Sequence, residues 1–194
     1  MTDSLAQRKA RGAFFTPPAI AAYLSNWAVQ SASDRVLEPS CGEASFLLAA
    51  ARRLRSFVQP PLFTEQQLHG VEIFEASAAQ ARALLWAENF GAKISVQDFF
   101  DYDPAIKFDA VIGNPPFVRY QNFTGAARAR SLEAALAQGI RLSGLASSWA
   151  AFVVKAAQHV TLNGRLALVL PAELLSVGYA QEVRRFLLSR FKRI

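Results

Sequence analysis

Five short strand-like segments built on apolar residues, at residues 34–39, 68–73, 94–96, 108–113 and 165–170, alternate with stretches whose apolar residues recur at helical spacing. That alternation constrains the fold more than any single residue does. Parallel strands need long crossover connections, and helical crossovers cover the sheet, so its strands read as short, continuously apolar runs. The helical stretches are 17–28, 43–55, the Ala-rich 75–90, 149–160 and 173–191. In the first, Pro17 and Pro18 stand where a helix begins and Ile20, Tyr23, Leu24, Trp27 and Ala28 repeat along it. Gly91 is placed as the stop of the third, and Asn163-Gly164 reads as a tight turn before the fifth strand. Residues 119–147 make a long connection with room for one helix near 126–137. The expected architecture is a doubly wound α/β domain with a mostly parallel sheet, and its ligands belong at the carboxyl ends of the strands.

With 194 residues the chain is long enough for one large core, and at 52% apolar residues it is not composed like a disordered segment. One cysteine excludes an intrachain disulfide framework and a thiolate zinc site, and two histidines argue against a His-rich site, so no metal is expected. Asp3, Arg8, Lys9 and Arg11 precede any apolar run, unlike a secretory signal. No stretch reaches the roughly 20 apolar residues of a membrane span. A cytoplasmic protein without a membrane partner is the expectation. Lysine and arginine outnumber aspartate and glutamate 21 to 15, a formal net charge of +6 that suits a polyanionic partner without naming a reaction.

Polar residues gather where the sheet would bind. Glu38 closes the first strand and leads into Pro39-Ser40-Cys41-Gly42, a turn whose glycine lets a ligand approach the backbone. A carboxylate there suits an ammonium better than a phosphate, and the lysine and hydroxyl of a P-loop are absent. Glu72-Ile73 ends the second strand, where an acid in dinucleotide-type folds accepts from ribose hydroxyls. Asp98-Phe99 follows the third and offers an acceptor for an adenine amine beside a face for the purine. Asn114-Pro115-Pro116-Phe117 follows the fourth. Each proline fixes φ and removes a donor, so the segment is a rigid turn with carbonyls turned to accept. An amine has two hydrogens, one for the Asn114 side-chain oxygen and one for the Pro115 carbonyl. Phe117 supplies a stacking face for a planar base.

At these residues the sequence resembles the N6-adenine DNA methyltransferases of restriction–modification systems, and more narrowly the TaqI-like group whose cofactor motifs begin at the N-terminus. Residues 13–18, Ala-Phe-Phe-Thr-Pro-Pro, resemble that group's leading motif; Leu37 to Gly42 the first strand motif; Gly70-Val71-Glu72-Ile73 the ribose motif; and Asp98-Phe99 the adenine motif. The catalytic motif corresponds to Asn114 through Phe117, with Phe117 where tyrosine is commoner, and Trp149 to Phe152 fit a later motif beside the target base. Glu43-Ala44-Ser45 stands where a second glycine is usual.

The resemblance implies a Rossmann-like catalytic domain over residues 1–194 with S-adenosyl-L-methionine as cofactor. Phe15, Thr16, Glu38, Ser40, Cys41, Gly42, Glu72, Ile73, Asp98 and Phe99 would hold that cofactor. Asn114, Pro115, Pro116 and Phe117 would be catalytic, with double-stranded DNA as substrate. Residues 1–30 would form the leading cofactor-motif helix. The connection 119–147 would face DNA, with Arg119, Arg128, Arg130 and Arg141 set against phosphates. A chain ending at Ile194 would lack the family's last strands and its target-recognition region, which a further domain or subunit would supply. The turn is shared with methyltransferases of rRNA guanine N2 and of protein glutamine, while the Phe15-Thr16-Pro17 start favours DNA. A module that binds cofactor or DNA without turnover is the non-enzymatic alternative.

Overall fold

The computed structural model describes residues 16–57 and 66–194. Phe15 and the rest of the leading segment before Thr16 lie outside the described residues. Among the described residues two compact units are present, one of residues 16–114 together with 159–168, the other of residues 115–158 together with 169–194.

The first unit carries the sheet. Its elements are α1 (Pro18–Ala28), β1 (Val36–Glu38), α2 (Ser45–Arg55), β2 (Leu68–Glu72), α3 (Glu75–Ala87), β3 (Lys93–Val96), a single 3-10 turn (Phe99–Asp101), β4 (Phe108–Gly113) and β5 (Val160–Leu168). The strands lie in the order β3-β2-β1-β4-β5 and every pairing is parallel. This is the doubly wound α/β architecture that the alternating sequence implies. Glu38 stands opposite Gly70, and Glu72 opposite Val96, so the carboxyl ends of neighbouring strands form one row. The winding reverses between β1 and β4, the switch point at which open sheets of this kind bind ligands.

Burial explains the strand sequences. Every residue of β1 and β2 is buried, so these central strands show no polar alternation. Helix α2 buries Phe46, Leu47, Ala50, Ala51 and Leu54 against β1 and β2. Helix α1 packs differently against β4 and β5. It turns Ala21, Ser25 and Ala28 inward and leaves Tyr23 and Trp27 exposed, so small side chains, not the large apolar ones, make the contact with the sheet. No helix among the described residues is long and apolar enough to cross a membrane.

Three boundaries differ from the sequence expectation. Helix α3 ends at Ala87, and Asn89, not Gly91, takes the left-handed conformation with φ 61°. The Asn89 N–H donates to the Trp86 carbonyl and the Phe90 N–H to the Leu85 carbonyl, both at 2.9 Å, which is the Schellman closure with asparagine at the usual glycine position. Strand β5 begins at Val160 and runs through Asn163-Gly164, where a turn was expected. Its register on β4 jumps from Phe108↔Val160 to Ala110↔Arg165, so the intervening residues bulge. A Cβ at Gly164 would lie 2.8 Å from the Asp109 carbonyl oxygen, which is why glycine sits in the bulge.

The third difference lies in the second unit, which contains α4 (Gly125–Leu136), α5 (Ser148–Gln158), α6 (Glu173–Ser176), a 3-10 turn (Gly178–Ala180) and α7 (Gln181–Arg190). The single helix expected over 173–191 is thus broken in two. Arg184 from α7 donates to the carbonyls of Leu174 and Val177 at 2.9 and 3.0 Å and stabilises the break. Helix α5 is buried from Ser148 through Ala157 and packs against α4 and α7.

Gly70 couples this packing to the strand ends. A Cβ there would lie 2.7 Å from Ile94 Cδ1, 2.9 Å from Cys41 Sγ and 3.0 Å from Leu47 Cδ1, all in the core. Gly70→Ala should therefore destabilise the protein by about 1–3 kcal/mol through overpacking. Urea unfolding of the two proteins measures the difference, and equal midpoints would show that the neighbours yield.

Candidate active site

The first strand end is organised by a buried acid. Glu38, 2% exposed, accepts a hydrogen bond from the Leu47 N–H at 2.9 Å, in the first turn of α2. Burial raises its carboxyl well above the ordinary range; the backbone donors of Leu47 and Phe46 oppose that rise and the nearby Glu72 adds to it. The turn between β1 and α2 needs two left-handed residues, Gly42 at φ 50° and Ala44 at φ 63°. Ala44 lies in the stretch Glu43-Ala44-Ser45, where the resemblance led to the expectation of a second glycine.

The same turn is tied to β2. The Cys41 N–H donates to the Val71 carbonyl at 2.9 Å and the Gly42 N–H to Glu72 Oε2 at 2.9 Å. Glu72, itself buried, accepts from the Phe74 N–H through Oε1 at 3.0 Å. Each carboxylate oxygen thus holds one backbone donor and keeps lone-pair capacity for a hydroxyl. Ile73 and Phe74 beside it are 54% and 41% exposed, an apolar surface next to an acceptor. The Cys41 thiol is buried, and burial together with Glu38 and Glu72 pushes its pKa far up, so it is no thiolate nucleophile.

At the third strand end, Asp98 Oδ1 accepts from the Phe100 N–H at 3.0 Å and opens the 3-10 turn. The Phe99 ring points into the core, with its centroid 5.5 Å from that of His159 and 6.4 Å from that of Tyr102.

At the fourth strand end, Asn114 is held at both ends. Its Nδ2 donates to Thr16 Oγ1 at 3.1 Å, and its main-chain carbonyl accepts from Ser40 Oγ at 3.3 Å. A Cβ at Gly113 would lie 3.6 Å from both Glu38 Cγ and Pro39 Cδ, which puts the end of β4 against the end of β1. One unit therefore brings together Thr16, Glu38, Ser40, Gly42, Glu72 and Asn114.

Pro115, Pro116 and Phe117 belong to the second unit, where Ser148 holds them. Ser148 Oγ donates to the Pro116 carbonyl at 2.5 Å and accepts from the Val118 N–H at 2.8 Å, and the Ser148 N–H donates to the Val118 carbonyl at 3.0 Å. The sequence drew attention to Trp149–Phe152 and passed over this serine. A serine just ahead of an apolar helical run was the signal present. Of the four arginines set against phosphates, Arg119 and Arg141 are exposed and Arg130 is half-buried. Arg128 donates to the carbonyls of Phe123 and Gly144.

Comparison with known proteins places this geometry in a class. The sheet and its strand order are those of the Rossmann-like methyltransferase fold, as in the methyltransferase subunit of a type I restriction-modification system from Streptococcus thermophilus. That structure matches with a TM-score of 0.62 at 22% identity over 91% of this chain and 38% of its own. The family model described as N-6 DNA Methylase matches residues 3–191, and the chain belongs to that family. Type II methyltransferase M.XamI of Xanthomonas campestris pv. amaranthicola is 30% identical over 192 residues, covering 96% of this chain and 35% of the relative. Type II methyltransferase M.AccI of Acinetobacter calcoaceticus is 26% identical over 188 residues, covering 95% and 32%. The chain spans about a third of the length of these curated relatives.

Membership of this family implies S-adenosyl-L-methionine as cofactor. The residues present fit it. Nothing stands within 4 Å of a Cβ placed on Gly42, so the turn has open space on that side. Glu72 beside exposed Ile73 pairs an acceptor for a ribose diol with an apolar face for a purine.

Two outcomes test this layout. A carboxyl whose pKa is raised by folding binds protons more tightly in the native state, so its contribution to stability falls as pH rises above its unfolded value near 4.5. Glu38→Gln should gain stability relative to wild type as the pH is raised from 4.5 towards 8, as read by paired thermal melts; a pH-independent difference would contradict the raised pKa. Ser148→Ala leaves the Pro116 carbonyl and Val118 N–H without their partner and should lower stability by about 2–3 kcal/mol. Denaturant titration measures it, and a loss below about 0.5 kcal/mol would mean that water replaces the serine.

Proposed function

We propose that this chain is the catalytic core of an S-adenosyl-L-methionine-dependent methyltransferase acting on N6 of adenine in double-stranded DNA, in a restriction–modification setting. The observation that carries the reading is the Ser40–Asn114 hydrogen bond. It links the turn suited to the cofactor with the amide suited to the target amine. Family membership and the type II methyltransferase relatives support the same reading, and the Thr16-Pro17 start favours the group with N-terminal cofactor motifs.

In this reading Gly42, Glu72, Ile73 and Asp98 hold the cofactor, with Ser40 and Cys41 forming the turn. Once bound, the cofactor supplies an electrophilic methyl group. The protein's part is orientation and charge. The Asn114 side-chain oxygen and the Pro115 carbonyl, consecutive in the chain, each accept one hydrogen of the exocyclic amine. These bonds draw the nitrogen lone pair out of conjugation with the ring and stabilise the positive charge that develops as it attacks. A carboxylate base is unnecessary, because the alkylated nitrogen is acidic and loses its proton to water. Phe117 offers a stacking face for a base flipped out of the duplex. Arg119 and Arg141 are suited to neutralise phosphates beside it. Target recognition falls to a further domain or subunit.

The test is methyl transfer from labelled S-adenosyl-L-methionine by the chain together with the domain or subunit that supplies target recognition, to genomic DNA lacking adenine methylation, which contains every short recognition site, followed by digestion to nucleosides. Label in N6-methyladenine is expected, and Asn114→Ala should reduce it by about 100-fold or more while cofactor affinity stays within about twofold. Label appearing in RNA or protein substrates and not in DNA would reassign the substrate. Cofactor binding without transfer to any of the three would make the chain a binding module.

A further inference from the structure

The family resemblance gives Thr16 to the cofactor; the contact it makes is with Asn114. We infer that Thr16 is a positioning residue that fixes which end of the Asn114 amide faces an incoming amine. This rests on the methylation reading for its functional consequence, though not for the contact itself.

An asparagine amide has an acceptor end and a donor end of nearly equal size. An amine delivers hydrogens only. With Oδ1 forward the amide accepts one of them; rotated by half a turn it would set donor against donor. A group that receives an Nδ2 hydrogen favours the productive orientation, and a threonine hydroxyl does so while its own hydrogen points away from the amide. Thr16 Oγ1, 3.1 Å from Nδ2, is that group. Thr16 is 6% exposed, so little water competes for the same hydrogen.

The hydroxyl is also held in place. Thr16 is followed by Pro17, with φ −54°, and by Pro18 at the first position of α1, and both rings restrict the backbone. The Pro17 carbonyl accepts the N–H groups of Ile20 and Ala21 at 2.9 and 3.2 Å, which locks the start of the helix. On the other side, Ser40 fixes the main chain of Asn114 through its carbonyl. With the backbone of Asn114 held by one hydroxyl, the other acts on its side chain alone. A neutral acceptor suits this task. A carboxylate at the same place would compete with Oδ1 for the amine.

Three readouts on the whole chain separate this role from cofactor binding. In 15N-labelled protein the Asn114 side-chain amide is identified as the pair of resonances lost in Asn114→Asp. Thr16→Val, which keeps the shape and removes the hydroxyl, should speed solvent exchange of that amide by about tenfold, and Thr16→Ser should restore the slow exchange. Affinity for S-adenosyl-L-methionine should stay within about twofold in both variants, while the saturated rate on unmethylated genomic DNA should fall about 10- to 100-fold in Thr16→Val and recover in Thr16→Ser. Unchanged amide exchange in Thr16→Val would overturn the inference. So would a tenfold weaker cofactor with an unchanged saturated rate, which would return Thr16 to the cofactor. If wild type transfers no methyl group, the methylation reading fails alone, and the amide measurement still decides what Thr16 holds.

Discussion

The carboxylate of Glu38, taken out of water at the end of β1, determines how the strand ends are arranged. Burying an acid is unfavourable unless donors meet it, and the donors here are the first N–H groups of α2, which have no partners within their own helix. The contact satisfies both sides and sets the carboxyl oxygens at the positive end of the helix dipole, which opposes the rise in pKa that burial imposes. It also helps the chain tolerate Ala44 in a left-handed conformation, which costs a non-glycine residue roughly 1–2 kcal/mol. Because β1 is buried along its whole length, this fixes the start of α2 relative to the sheet. Glu72 then grips the same turn from β2 through Gly42. Two strands hold one turn, each by an acidic side chain on backbone N–H groups.

Hydroxyls do the corresponding work at Asn114 and beyond it, for a different reason. Two successive prolines remove two N–H donors, so the Asn-Pro-Pro segment cannot be held by the ladder that holds β4. Side chains must supply the contacts. Ser40 meets the carbonyl of Asn114, and in the second unit Ser148 meets both the Pro116 carbonyl and the Val118 N–H. Hydroxyls serve here because they are small, donate or accept as needed, and add no charge beside groups whose chemistry depends on developing charge.

The sheet was legible because strand burial leaves a direct trace in sequence: runs such as Ala110-Val111-Ile112 have no other stable place. The polar residues at strand ends were legible for the complementary reason, that a buried strand ending in Glu38 or Asn114 calls for a partner. Long-range partners left no such trace. Nothing local to Thr16 announces a contact 98 positions away. Phe99 was expected beside a purine on its adjacency to Asp98, yet its ring faces His159, because a local pair does not say which of two neighbours points inward. Asn89 in place of Gly91 has a similar origin. Asparagine tolerates the left-handed region, and the hydrogen bonds to Trp86 and Leu85, not the nearest glycine, decide where the helix stops.

Charge needs the same distinction between a residue and its surroundings. A net charge of +6 counts every arginine alike, but the donors of several are already engaged inside the fold. Arg128 spends two on backbone carbonyls, Arg184 does so at the break between α6 and α7, Arg53 meets the Val29 carbonyl, Arg52 pairs with Glu88, and Arg82 meets Glu75 and the Ile94 carbonyl. These side chains keep their positive charge, so they still contribute to the long-range field that draws a polyanion towards the surface. Direct phosphate contact asks for more, since it needs N–H groups turned outward and able to displace counterions. Arg128 illustrates the difference, for its guanidinium is committed to the loop around α4 while its charge remains available at a distance. The positive charge is therefore spread across the chain, and in the proposed function direct contact from the 119–147 connection falls to exposed arginines such as Arg119 and Arg141.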